Sequence, residues 1–167
     1  VFFAHPTESL SAQYERRPSD ARVSHRFTLE VDAFGNARRE VAVGYGRQSA
    51  ALDLPNPADR EAQTRTLITY TEHDVTNDID ELSAYRTPLP CGTRTYELTG
   101  FEPERGGRFR FDDWAREAFE PLRSAEEIPY ERHPNAGFRQ KRLVASSRTL
   151  FRRDDLSGLL PYASIEP

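Results

Sequence analysis

Methionine is missing altogether from these 167 residues, and cysteine, tryptophan and lysine occur once each, as Cys91, Trp114 and Lys141. One cysteine excludes an internal disulfide and any multi-cysteine metal site. The chain opens on Val1, Phe2 and Phe3 rather than on methionine, so the expectation is a piece of a longer polypeptide or one that has lost a leader. Long apolar runs are lacking too. The opening one stops at His5 and Pro6, well short of the roughly 20 residues of a membrane span, and too short for a signal-peptide core. Positive charge is almost all arginine and is interleaved with acids for a net charge of −4, so no basic face points to nucleic acid. Apolar residues reach only 37% against 30% charged ones. That is low for a self-sufficient globule, and is expected of a segment that packs against neighbouring chain or whose sheet faces water.

What is present is alternation. Val23, His25, Phe27, Leu29 and Val31 alternate with Ser24, Arg26, Thr28, Glu30 and Asp32, the period of a half-buried strand. After Gly35 and Asn36, residues that tolerate positive φ, Val41, Val43 and Tyr45 resume the pattern, which makes a β-hairpin. Leu10, Ala12 and Tyr14 alternate upstream, across turn chemistry from Arg17 to Asp20. The reading is a mostly β, antiparallel fold, a meander or curved sheet with one or two short helices, treated as a single segment over 1–167. Strands are expected near 10–16, 23–32, 38–45, 66–73, 93–99 and 141–152. A helix is expected near 57–64, where Asn56 caps and Pro57 opens the first turn. A second is expected near 112–119, stopping before Pro121, with an apolar stripe of Phe111, Trp114, Ala115, Ala118 and Phe119. The stretch from Thr87 to Gly92 reads as a rigid linker, and Glu120 to Gly137 as an irregular loop.

Catalytic constellations are nearly absent. None of His5, His25, His73 and His133 lies within four residues of another. His25, on the apolar side of its strand, reads as a packing histidine rather than a ligand. His73 lies between Glu72 and Asp74, yet adjacent strand residues point to opposite faces and do not converge. Cys91, between Pro90 and Gly92, reads as a small buried hydrophobe in a turn, because no neighbouring base or positive pole would activate its thiol. Asp154 with Asp155 reads as turn chemistry, Asp112 with Asp113 as helix capping, and Glu126 with Glu127 as a solvated loop pair. Gly44-Tyr45-Gly46 lacks the third glycine and the following helix of a nucleotide loop, Gly106-Gly107 is a turn, and no nucleophile elbow or zinc motif occurs. No catalytic, cofactor-binding or metal-binding residue is therefore assigned, and no cofactor. Tyr14, Phe27, Tyr45, Tyr70 and Tyr96 fall on strands, where cross-strand packing outweighs ligand stacking.

Whole phrases resemble one family: TLEVDAFGN from Thr28 to Asn36, VGYGR from Val43 to Arg47, LITYTE from Leu67 to Glu72, AYRTPLPC from Ala84 to Cys91, RTYELTG from Arg94 to Gly100, IPYE from Ile128 to Glu131, and RTLFRRDDLSGLLP from Arg148 to Pro161. Together they look like the middle/C-terminal region of the B component of bacterial Tc insecticidal toxins, relatives of SpvB-type virulence proteins and RHS/YD-repeat proteins. The resemblance implies a non-enzymatic structural segment of a β-strand shell that encloses the toxic cargo of the C component. It implies the C subunit as partner, and the A-subunit channel as partner through other parts of the full protein. It implies an extracellular toxin complex that is cytoplasmic in the producer before release, with neither nucleic acid binding nor direct membrane insertion by this segment. The regular Tyr-Asp spacing of a YD repeat is missing; Val31-Asp32-x-x-Gly35 is a weak echo. One rival reading is a secreted β-rich binding module for carbohydrate or a host protein, which requires an exposed aromatic row. Another is a hydrolase using acids such as Asp154 or Glu72, which requires converging ionisable groups.

Overall fold

A computed structural model describes residues 4–14, 19–49, 54–104 and 107–167. Its main sheet holds β1 (Glu8–Gln13), β2 (Arg22–Val31), β3 (Ala37–Gly44), β4 (Leu67–Val75), β7 (Pro90–Thr99), β8 (Glu126–Ile128) and β9 (Gln140–Arg148). Their spatial order is β1-β2-β3-β4-β7-β9-β8, and β5 (Ile79–Glu81) pairs with β6 (Ala84–Arg86) as a separate hairpin. Every pairing is antiparallel except that of β8 with β9, which is parallel. The sheet does not close on itself. Ladder irregularities fall between Thr28 and Val31, at Asp74/Val75 and at Thr95/Tyr96.

The expected alternation and hairpin are present. Asp32 organises the turn between β2 and β3: its Oδ1 accepts from the Phe34 and Asn36 amides at 2.9 Å each, its Oδ2 accepts from the Asn36 side chain, and Gly35 supplies φ 86°. Helix α1 (Pro57–Thr64) starts where the Asn56-Pro57 signal places it, with Asn56 Oδ1 accepting from Ala58 N–H at 3.0 Å. The expected turn over Arg17-Pro18 lies outside the described residues, as do positions 15 and 16 of the first expected strand and Gly106 of the glycine pair.

Several expectations are corrected. The extended linker before Gly92 is shorter than expected, because Pro90, Cys91 and Gly92 already belong to β7, so Cys91 is in a strand and not a turn. The C-terminal strand stops at Arg148 rather than 152, and Arg152 survives only as an isolated bridge to Leu159. The supposed loop 120–137 contains β8, so Glu126 and Glu127 are strand residues. The β5–β6 hairpin was not expected at all, since three-residue strands are too short to show a period.

Helix α2 (Asp112–Arg123) runs past Pro121, and the reason is a break. Arg116 is extended, and Glu117, Ala118 and Phe119 are left-handed at φ 48°, 54° and 66°, so two short right-handed turns flank one left-handed turn. Pro121 falls in the first turn after the break, where its missing N–H has no helical partner to lose. Left-handed backbone costs a non-glycine residue about 1–2 kcal/mol, and the flanking anchors hold it: Trp114 and Leu122 are buried and Arg39 stacks over Phe119 at 5.0 Å. Ala118 itself is exposed. Ala118→Gly should therefore raise stability by about 0.5–1 kcal/mol, after allowing for the extra freedom glycine gives the unfolded chain. A urea midpoint at or below wild type would count against the strain.

The core lies on one side of the sheet. Phe27, Leu29, Val41, Val43, Ile68, Tyr70, Tyr96 and Leu98 form its floor. Phe101, Phe109, Trp114, Leu122 and Ala125 cover it. Trp114 is the keystone, fully buried with its ring 4.5 Å from Phe109, 5.7 Å from Phe101 and 6.1 Å from Phe27. At the other end of β4 the C-terminal segment returns to the sheet. Asn77 N–H donates to Ala163 O at 3.1 Å, its Oδ1 accepts from Ile165 N–H at 2.8 Å, and Leu160 and Ile165 are buried.

Candidate functional site: an open edge and a self-paired polar face

Ionisable groups pair across strands rather than gather around a point. On the uncovered face of the sheet His73 Nε2 lies 2.8 Å from Glu40 Oε2, and Arg142 Nη2 donates to Glu97 Oε2 at 2.6 Å. Hydroxyls meet there as well: Thr71 with Thr95 at 3.3 Å and Thr93 with Ser147 at 2.8 Å. Glu72 points to the opposite face, as the alternation required. There its Oε1 accepts from Tyr70 OH at 2.9 Å and its Oε2 lies 3.1 Å from Arg94 Nη2. Arg94 also approaches Asp74 Oδ1 at 3.7 Å, and Asp74 Oδ2 accepts from Tyr162 OH at 2.8 Å. Burial and the Glu72 carboxylate push the Tyr70 phenol far above its ordinary range. Burial and Asp74 push that of Tyr162 up to about 12. Phenols held protonated in this way are hydrogen-bond donors, not bases or nucleophiles.

His25 is held in the sheet by bonds to both of its ring nitrogens. Phe109 N–H donates to Tyr45 OH at 2.9 Å, and the same hydroxyl lies 3.1 Å from His25 Nδ1. On the other side of the ring Nε2 lies 2.8 Å from Glu8 Oε1. Both ring nitrogens are used, the residue is 3% exposed, and the chain of bonds ties β1 to β2, β3 and the loop before α2. His5 and His133 are exposed in loops. Among the described residues no group of three or more His, Cys, Asp or Glu is placed to hold a metal ion.

The remaining candidates are structural. Cys91 is 1% exposed, and burial pushes its thiol up, away from the reactive range. Asp155 Oδ1 accepts from Ser157 N–H at 2.8 Å, and Asp154 N–H donates to Glu166. The capping expected of Asp112 and Asp113 is corrected: the N-cap of α2 is Phe111, which has no side-chain cap bond, and the two acids lie in the first turn, where Asp113 Oδ2 accepts from Arg110 N–H at 2.8 Å. Glu126 accepts from the Gln140 side chain at 2.8 Å. Of the five aromatics expected on strands, Phe27, Tyr70 and Tyr96 are buried, Tyr45 is half-buried and Tyr14 is exposed, so those five form no row open to a ligand. Tyr14 and Tyr45 border a cleft of about 400 Å³ with Asp20, Gln48 and Arg108. The Asp20 carboxylate is already taken there by the Gln48 amide at 3.0 Å and the Ser49 amide and hydroxyl at 3.3 Å.

These turn carboxylates set an acid response. Burial pushes the Asp32 carboxyl up, but hydrogen bonds from the Asn36 side chain and from the Asn36 and Phe34 amides outweigh it and hold the group below its usual value. The Gln48 amide, opposed by burial, does the same for Asp20 with help from Ser49. A depressed carboxyl contributes stability that is complete above the ordinary carboxylate range and is lost as pH falls through the folded value. Urea midpoints should therefore drop below about pH 4, and Asp32→Asn should flatten that part of the profile. An unchanged acid limb would refute the turn's contribution.

What the sheet does leave open is its first edge. Thr28 N–H donates to Thr7 O at 2.9 Å, so Thr7 and Thr28 form a hydrogen-bonded pair, and by alternation Ser9, Ser11 and Gln13 face inward to Arg26, Ser24 and Arg22. The bond from Tyr45 N–H to Val23 O at 3.0 Å confirms the phase, because it turns Val23, His25 and Phe27 toward β3. The backbone groups of Glu8, Leu10 and Ala12 therefore point away from the sheet, and all six residues of β1 are exposed. Sequence reading gave the strand but not this phase, which depends on the partner and not on the residues of β1.

A largely antiparallel open sheet, with a separate two-stranded hairpin and ionisable pairs bridging its strands, defines a β-rich domain. The profile of the insecticide toxin TcdB middle/C-terminal region matches residues 1–87, just over half of the chain, and the chain belongs to that family. Among solved structures it is similar to a crystal structure of TcdB2-TccC3, at 24% identity and TM-score 0.47 over 61% of this chain. It is also similar to a Tc holotoxin pore from Photorhabdus luminescens, at 25% identity and TM-score 0.44 over 61%. The chain spans 6% and 5% of the length of those chains. No curated protein matches.

Proposed function

We propose that this chain is a non-catalytic wall segment of a Tc-type toxin B component, one β-rich unit of a larger protein. In that role it contributes strands to a shell that encloses the cargo of a C component in an extracellular toxin complex. The observation that carries the reading is the uncovered face, where Glu40 with His73, Glu97 with Arg142, Thr71 with Thr95 and Thr93 with Ser147 satisfy one another across strands. Such a face stays wet without needing a ligand, as the inner or outer surface of a wall must. Family membership supports the assignment to the B component. The C component is the partner proposed for the shell, with the A-type channel reached through other parts of the full protein.

The test is protease protection. In the full-length B component assembled with its C partner, the cargo should resist digestion, and deleting residues 1–167 should expose it. Cargo equally protected without the segment would sink the proposal.

A further inference from the structure

We infer that the self-paired polar face of the sheet is the lumenal face of the wall, the one past which an unfolded cargo chain lies, and that the helix-bearing side faces out. This rests on the wall reading above and adds which side is in. The two sides differ in kind. α2, the segments that carry Phe101 and Phe109, and the C-terminal return, tied to Asp74 through Tyr162, all pack on the core side. A packed second layer adds roughly 10 Å of thickness, and on the inner side it would take that depth from the cargo space. Among the described residues no such layer covers the polar side. Its wetness belongs to its side chains and holds whatever flanks them: a face meant to be covered by another layer would need apolar residues where Thr71, Thr95, Thr93 and Ser147 stand.

The occupant follows from what an unfolded polypeptide offers, which is uncovered apolar side chains and backbone N–H and C=O groups without partners. A lining that lets such a chain slide past must present few apolar patches and few unused hydrogen-bonding groups. Across β3, β4, β7 and β9 this face meets both conditions. Thr71 meets Thr95, and Thr93 meets Ser147. Glu40 is taken by His73, and Glu97 by Nε and Nη2 of Arg142, whose Nη1 donates to Tyr130 O and Arg132 O. The exposed Tyr130 ring is itself engaged, with the Arg142 guanidinium 5.6 Å from its centre. Ala42 and Ala145 stand opposite Thr69 and Thr95 in the ladders, small side chains that give a passing chain little to hold. Leu67, 62% exposed, is the first residue of β4 and marks the end of this face rather than its middle. The other side has the mixed charge of a surface turned to bulk water, with Asp112 and Glu117 exposed on α2 and Arg116 paired with Glu104.

Photo-crosslinking in the full-length B component, assembled with its C partner, tests the assignment. The photoreactive residue p-benzoylphenylalanine in place of Ala145, which is exposed on the polar face, should yield a covalent adduct with tagged cargo on irradiation. In place of Ala42 it should do the same, so the result does not hang on one variant folding. In place of Asp112, exposed on α2, it should yield none. Protease protection of the cargo is read on the same samples. Protected cargo that links from Asp112, from both sides, or from neither polar-face position overturns the inference while the wall reading stands. Cargo digested freely in the wild-type assembly is a failure of the wall reading itself, and the inference falls with it.

Discussion

Trp114→Ala is expected to destabilise the chain by about 3–5 kcal/mol, the cost of emptying a large aromatic site that its surroundings only partly refill. The indole is fully buried against Phe27 from the sheet and Phe101 and Phe109 from the covering segments, so its loss disconnects both layers of the core. Trp114→Phe makes the informative control. The indole N–H is buried with no hydrogen-bond acceptor among the described residues, so deleting it removes an uncompensated polar group along with some volume. The phenylalanine variant should therefore lose much less, and equal losses for the two in urea denaturation would show that packing around the ring is not what matters. A loss this large is a substantial share of the roughly 5–15 kcal/mol of an ordinary domain, so Trp114→Ala should unfold at a clearly lower urea concentration than wild type.

The second large effect is expected at Gly100, which directly follows β7 at φ 72°. A Cβ there would lie 2.0 Å from Phe138 O and 2.9 Å from Arg139 N, both backbone atoms just ahead of β9. Alanine must bear the left-handed backbone, about 1–2 kcal/mol, and also push apart the start of the β7–β9 ladder, about 1–3 kcal/mol for overpacking. A total of about 2–5 kcal/mol is expected. Amide exchange in Gln140 and Lys141 should accelerate more than in β2, because the damage begins where Thr99 pairs with Gln140. Uniform acceleration over the whole sheet would place the defect elsewhere.

Much of this architecture is legible in the residues, for a physical reason. Where one face is buried and the other wet, as in β2, β3, β4 and the latter part of β7, alternation is imposed by the pleat and can be read directly. The rule fails where length or context takes over. β8 is three residues of low strand propensity that exist because β9 offers a parallel partner, and β5 and β6 are equally short. The break in α2 follows from tertiary anchoring of Trp114 and Leu122, which no helical period encodes. Cys91 illustrates a half-success: its burial follows from its chemistry, while the strand around it, opened by Pro90, contradicts the local proline signal. Pro90 sits at the first position of β7, where a missing N–H is tolerated. As for the candidate site, the lack of convergence between Glu72 and His73 follows from adjacency alone. The outward phase of Glu8, Leu10 and Ala12 does not, because it is a property of two strands at once.

The C-terminal return has a kinetic corollary. Thr149 N–H donates to Cys91 O at 2.7 Å, and Tyr162 OH sits so close above Gly92 that a Cβ there would fall 2.0 Å from it. The solitary thiol is thereby sealed, and an alkylating reagent gains access only when this stretch breathes. Its labelling half-life becomes a clock for those excursions, one that Tyr162→Phe, by cutting the bond to Asp74, should make run faster while the sheet itself stays intact.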